Sequence, residues 1–200
     1  MLSIIIVFLV MLNPFALFLY LNPVMEELSH KDFLKVLLRA TLISFVIFSF
    51  FLFFGDAIIQ RVFLINFDSF RIFGGIIIFS FAFLYIVKGQ HALITMKESL
   101  DDLASEIALP FMIGAGTISL SILMSNQYPV QQAFGALVTI LVLNYLFIVG
   151  LKFIKDQLSK RKLKIAFDKN MQILLRLVGF FVGAIGVNMI ITGITNIILG

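Results

Sequence analysis

Cysteine is absent from this sequence, and charge is scarce: Asp, Glu, Lys and Arg make up 13% of its 200 residues. The first absence excludes disulfides, thiolate metal sites and cysteine nucleophiles. The second excludes an ordinary soluble domain, in which about 25% of residues are charged and about 45–50% apolar. Here 61% are hydrophobic, and the mean hydropathy is +1.11. No long apolar run carries Asp, Glu, Lys or His near its centre; Asp56, Asp68 and Glu106 all fall near an end. The two histidines, His30 and His91, lie between runs, and no His-Glu-x-x-His or paired-aspartate motif occurs within them. Catalysis inside a membrane would need a nucleophile with its base, or a metal cluster. An enzyme is therefore not expected, and neither is a metal or organic cofactor. Alternating segments of about ten residues, the mark of a membrane barrel, are missing as well.

What is present is apolar and long. Six runs, at 2–21, 34–59, 70–87, 107–125, 132–151 and 174–199, each approach the ~20 residues that cross the hydrocarbon core. Without water, backbone groups must pair within their own segment, so each run is expected to be a helix. The fold class expected is an all-α membrane protein with six transmembrane helices. The opening run MLSIIIVFLVML lacks a basic flank and a small-residue cleavage site, so it reads as a first span rather than a signal peptide.

The basic residues orient these spans. With the first, third and fifth loops on one side, that side holds all but two of the 15 Lys and Arg residues; the exceptions are Arg61 and Arg71. The positive-inside rule then puts those loops in the cytoplasm and both termini outside, in a multi-pass protein of the cell membrane. The run KRKLK (160–164) is read as a topology anchor that also suits anionic lipid headgroups. Nucleic acid is not an expected partner, because this basic charge follows the membrane topology.

Two pairs of motifs repeat in the same order. Arg71-x-x-Gly74 opens the third span as Arg176-x-x-Gly179 opens the sixth, and prolines interrupt the first span (LNPF, 12–15) and the fourth (LPF, 109–111). Three spans per half is an odd number, so the second half must enter the membrane inverted. The expected layout is therefore two inverted three-helix repeats, over 1–89 and 105–200. A cytoplasmic linker at 90–104 joins them, and the first and fourth helices break near mid-membrane. Paired interrupted segments in inverted repeats point to the binding site of a secondary transporter.

Asn13-Pro14, FRIFGGIIIF (70–79), ALPFMIGAGTIS (108–119) and RLVGFFVGAIGVNMIITGI (176–194) together resemble the MarC family of integral membrane proteins, also called the neutral amino-acid transporter family, of the lysine-exporter superfamily. The resemblance covers essentially the whole chain. In the fourth span Pro110, Gly114, Gly116 and Thr117 match the family pattern, while Glu106 and Ala115 replace two of its prolines. In the first span only Asn13-Pro14 is kept; Ala16, Leu17 and Leu19 replace the pattern's glycine, asparagine and second proline. What the resemblance implies is transport of small neutral amino acids such as glycine and alanine, driven by an ion gradient.

The residues suggest how a substrate would be held. Pro110 cannot donate to the carbonyl of Glu106, and its ring opens that turn. Gly114 and Gly116 would let the backbone leave helical dihedrals. The half-helix that starts there offers amides and a positive dipole end to a carboxylate, with the Thr117 hydroxyl as a further donor. Close helix packing is the other reading of these glycines. Asn13 would hold the substrate or cap its own broken helix. Asn144 and Asn188 are expected to bond between helices. Gly179, Gly183 and Gly186 share one face of the sixth helix and read as a packing stripe. Arg71 and Arg176 read as anchors whose head groups reach the interface.

The substrate-binding candidates are thus Asn13, Pro14, Pro110, Gly114, Gly116 and Thr117. A zwitterion suits a span region without buried charge better than lysine or a metal cation does. The coupling ion, H+ or Na+, stays open, with Glu106 and Asp56 as boundary groups for protons. Expected partners are the lipid bilayer and a small neutral amino acid, and a homo-oligomer is compatible with the sequence. The competing readings are an exporter or channel for other small solutes, and a membrane scaffold that transports nothing.

Overall fold

The computed structural model describes residues 1–88, 104–105, 107–158 and 160–199. The linker expected over 90–104 lies outside the described residues except for Ala104, as do Glu106 and His91. The described residues form eight α-helices and no strand: α1 (Leu2–Leu12), α2 (Pro14–Tyr20), α3 (Asn22–Glu27), α4 (His30–Ala57), α5 (Phe67–Lys88), α6 (Ala115–Gln127), α7 (Val130–Gln157) and α8 (Arg161–Leu199). Wide π-type turns follow α4 at Ile58–Val62 and precede α6 at Ile107–Met112.

Five segments are long and apolar enough to cross a membrane: Leu2–Tyr20, His30–Val62, Phe67–Val87, Val130–Gln157 and Arg161–Leu199. The apolar run at 107–125, expected as a fourth and broken span, is not among them. It is divided between the six-residue turn and the 13-residue α6, and neither piece crosses ~30 Å alone.

Each break has a local cause. Pro14 has no N–H for the carbonyl of Val10, so α1 ends at Asn13, whose amide donates to both Leu9 O (3.1 Å) and Val10 O (3.2 Å). Asn13 takes the left-handed conformation (φ 46°, ψ 71°), which Asn tolerates better than most residues. Pro14 then opens α2, where its fixed φ is already helical. In the second case Leu109, the residue before Pro110, is extended (φ −115°, ψ 116°), as the proline ring requires of its predecessor. A wide bond from Ile113 N to Ala108 O (2.9 Å) closes the turn, and the chain runs extended through Gly114 before α6 begins.

The broken segments lie inside and the long helices outside. Ala16 to Tyr20, the body of α2, are all buried, the expected place for a helix that is apolar all round. The long helices instead expose large apolar side chains, among them Phe53 and Phe54 of α4, Phe81 and Phe83 of α5, and Phe180 and Phe181 of α8. An apolar exterior on several helices far exceeds the isolated patches of a soluble protein, and it fits a lipid surround.

α5 and α8 run antiparallel at very close range. A Cβ added to Gly75 would stand 2.6 Å from Gly186 O, and one added to Gly186 would stand 2.8 Å from Gly75 O. Farther along, Gly193 meets Asp68 and Ile72 at one end, and Gly179 meets Ile86 and Ala82 at the other. The glycine stripe of the sixth run is therefore a packing face.

α4 and α7 correspond residue by residue. Both are 28 residues long, and their starts are one hundred positions apart. Phe33, Val36, Leu37, Ala40, Thr41, Ser44 and Phe48 are buried in α4; Ala133, Ala136, Leu137, Ile140, Leu141, Asn144 and Ile148 are buried in α7 at the same spacing.

Polar groups gather at the two ends of the bundle. At one end buried Lys155 reaches Asn22 Oδ1 (3.0 Å) and Asp168 (3.1 Å), while buried Lys152 meets Asp156 (2.8 Å) and lies 5.4 Å from the centre of the Phe33 ring. At the opposite end Asp68 accepts from Arg71 (3.1 Å) and Asn196 (3.0 Å), and Asp56 accepts from Asn126 (3.2 Å).

Candidate functional site

The two breaks lie side by side. Met11, two residues before Asn13, packs against Gly116 in the first turn of α6. Non-helical backbone at membrane depth is tolerated where protein buries it, and Asn13 (3% exposed) and Thr117 (5% exposed) meet that condition.

Asn13 divides its amide between two tasks. Oδ1 accepts from Ala16 N (3.2 Å) and caps α2. Nδ2 is buried and has no hydrogen-bond partner. Capping and ligand binding, set as alternatives by the sequence, thus fall to different atoms of one side chain: the cap is made and a donor is left over.

The second break uses its polar groups internally. The Gly114 amide donates to Thr117 Oγ1 (3.0 Å), and that hydroxyl can donate to Met112 O (3.0 Å) or Gly114 O (3.1 Å). The Gly114 amide and the Thr117 hydroxyl, expected as substrate donors, are therefore engaged in closing the break. The amides of Ala115, Gly116 and Thr117 remain as the first-turn donors that a helix cannot satisfy within itself.

The two glycines differ in kind. Gly116 is helical, and a Cβ there would run into Ile78 and the end of Met11, so close packing demands it. Gly114 is extended (φ −133°, ψ 170°), which any residue adopts, and a Cβ there would have nothing within 4 Å. Space, and not backbone freedom, distinguishes Gly114. Pro110 lies in the turn and sets the extended Leu109 before it. Arg71, expected as an anchor, pairs with Asp68 and stacks 5.3 Å over the Phe67 ring.

Beside the first break lies a cavity of about 290 Å3, bounded by Val10, Pro14 and Phe15 on one wall and by Leu143, Asn144 and Phe147 of α7 on the other. Asn144 is fully buried, yet neither its Oδ1 nor its Nδ2 has a hydrogen-bond partner. The interhelical bond expected of it is not made. Its counterpart on α4, Ser44, faces the second break, with its hydroxyl near Ala40 O (2.9 Å) and Met112 Sδ (3.4 Å). Each break is thus met by a polar residue at the matching position on a long helix of the other half. Hydropathy alone hides this pair, because Ser44 and Asn144 stand at different depths in their apolar runs and match only when counted from the helix starts, His30 and Val130.

Comparison with known families matches residues 1–198 to the MarC family of integral membrane proteins. The chain belongs to the MarC family. Similar proteins include UPF0056 membrane proteins from three organisms. The Pyrococcus horikoshii protein is 26% identical over 96% of this chain and 91% of its own length. The Escherichia coli protein YhcE is 31% identical over 83% of this chain and 78% of its own. One from Buchnera aphidicola of Schizaphis graminum is 30% identical over 94% and 88%. No solved structure matches the chain. This MarC family protein is therefore an integral, multi-pass membrane protein.

Proposed function

We propose that this MarC family member is a secondary transporter for small neutral amino acids of the glycine and alanine class, coupled to a proton or sodium gradient. It is read as a carrier and not an enzyme. Its layout would be two inverted three-helix repeats with six crossings, the fourth made by the π-turn and α6 together. Both termini would lie outside, with the Lys152–Lys155 end of the bundle in the cytoplasm as the positive-inside rule requires.

One observation carries the reading: two broken helices, buried and side by side, each faced by the corresponding residue of the other half, Ser44 or Asn144. A scaffold would have no use for such a matched pair, whereas carriers bind solute between interrupted helices of inverted repeats. The matched burial of α4 and α7 and the antiparallel seam of α5 with α8 support the inversion. The lack of charged side chains around the breaks among the described residues supports a net-neutral solute.

Uptake into proteoliposomes tests it, with labelled glycine, alanine, serine and lysine under imposed proton or sodium gradients. Saturable, gradient-driven uptake of the neutral amino acids but not lysine is expected. Absence of saturable flux for every amino acid under both gradients would remove the proposal.

A further inference from the structure

Asn144 leaves both ends of a fully buried amide unpaired, which folded proteins rarely do without a reason. Its counterpart Ser44 is satisfied within the protein. Of two matched positions, one is closed and the other holds a donor and an acceptor in reserve. Asn144 is one of the residues around a cavity whose other described walls, including Pro14, Phe15, Leu143, Phe147 and Val178, are apolar.

We propose that Asn144 is the recognition residue of the solute site, and that the site lies on this side of the pair of breaks instead of at the start of α6. The ligand class follows from the atoms on offer. An oxygen acceptor of the solute, carboxylate or carbonyl, takes Nδ2; an N–H of the solute donates to Oδ1; an aliphatic side chain rests on Leu143, Phe147 and Val178. Among the described residues no charged group lines the cavity, so a solute with net charge would bring an uncompensated charge into an apolar space. A lipid acyl chain would fill the volume but leave the amide unpaired. A volume of about 290 Å3 lies at the small end of ligand pockets, about 300–1,000 Å3, which suits a small solute. The ligand's class rests on the transporter reading; the place and the recognising residue rest on the unpaired amide.

The test is thermal unfolding of the purified protein in detergent with added glycine, alanine, valine, leucine, lysine or glutamate. Saturable stabilisation by neutral amino acids only is expected. Asn144→Leu should weaken that response at least about tenfold, as loss of hydrogen bonds to a charged group does. Its unfolding temperature without ligand should hold or rise, because an unpaired amide gives way to a side chain suited to the walls. Asn144→Ala, which cannot block the cavity, should lose the response equally. Wild-type response in both variants, or a fall of several degrees in both without ligand, would overturn the assignment. So would equal stabilisation by lysine or glutamate, or stabilisation by added lipid alone. The two proposals separate cleanly. If the variants keep wild-type flux, this site is wrong and the carrier reading stands. If the wild type binds with this pattern yet moves no solute, the site stands and the carrier reading falls.

Discussion

Asn13 suits its position because one short side chain meets two local needs. Its backbone is left-handed, and its Oδ1 caps α2. Asn13→Ala should cost about 2 kcal/mol, roughly half from the lost cap and half from the left-handed backbone. Asn13→Gly should recover most of the loss, since glycine carries no backbone penalty there; unfolding in detergent compares the two. The glycines of the second break predict opposite behaviours. Gly116→Leu drives a side chain into Ile78 and Met11, an overpacking that should lower stability by about 1–3 kcal/mol. Gly114→Leu meets no neighbour within 4 Å, so stability should stay within about 0.5 kcal/mol of wild type. Flux should also stay near wild type, because the solute site lies beside Asn144 and not at the start of α6. Normal flux in a stable Gly114→Leu protein would exclude the region around Gly114 from the solute path.

At the scale of the element, the two breaks were legible in the sequence and their chemistry was not. Proline has only a few outcomes in a helix, so Pro14 and Pro110 announced the interruptions. Where the freed groups go depends on contacts such as Thr117 to Met112, which no spacing rule supplies. The correspondence of α4 with α7 was hidden because both faces of a membrane helix are apolar, and the helical period then no longer separates lipid from core. Helix ends were misjudged for a related reason. Hydropathy marks where lipid begins and not where a helix ends: α8 starts at Arg161, well before the apolar run at 174. Lys152 and Lys155, which count toward the basic side, are buried because other elements cover them, Phe33 of α4 for one, Asn22 of α3 and Asp168 of α8 for the other. Lys155 is buried but its carboxylate partner Asp168 is partly exposed, so Lys155→Met should lower stability by about 1–2 kcal/mol, the worth of hydrogen bonds to a charged group that water partly replaces. A Lys155→Met, Asp168→Leu double variant should regain part of that loss, measured by the same unfolding transitions.

For the whole molecule, the apolar exterior and the two polar ends define how it sits in a bilayer. Cysteines placed singly at 162 and at 196 in this cysteine-free chain would report on opposite ends of the bundle. In intact cells the first should resist an impermeant thiol reagent and the second should react; the reverse pattern would invert the proposed orientation. The central claim is that the paired breaks belong to a carrier, which must reorient with solute bound, and not to a channel or scaffold. Counterflow tests that most directly. Proteoliposomes preloaded with unlabelled alanine and diluted into trace labelled alanine, with no ion gradient, should accumulate label transiently above its external concentration. Label that only equilibrates, at a rate indifferent to the preloaded alanine, would contradict the account.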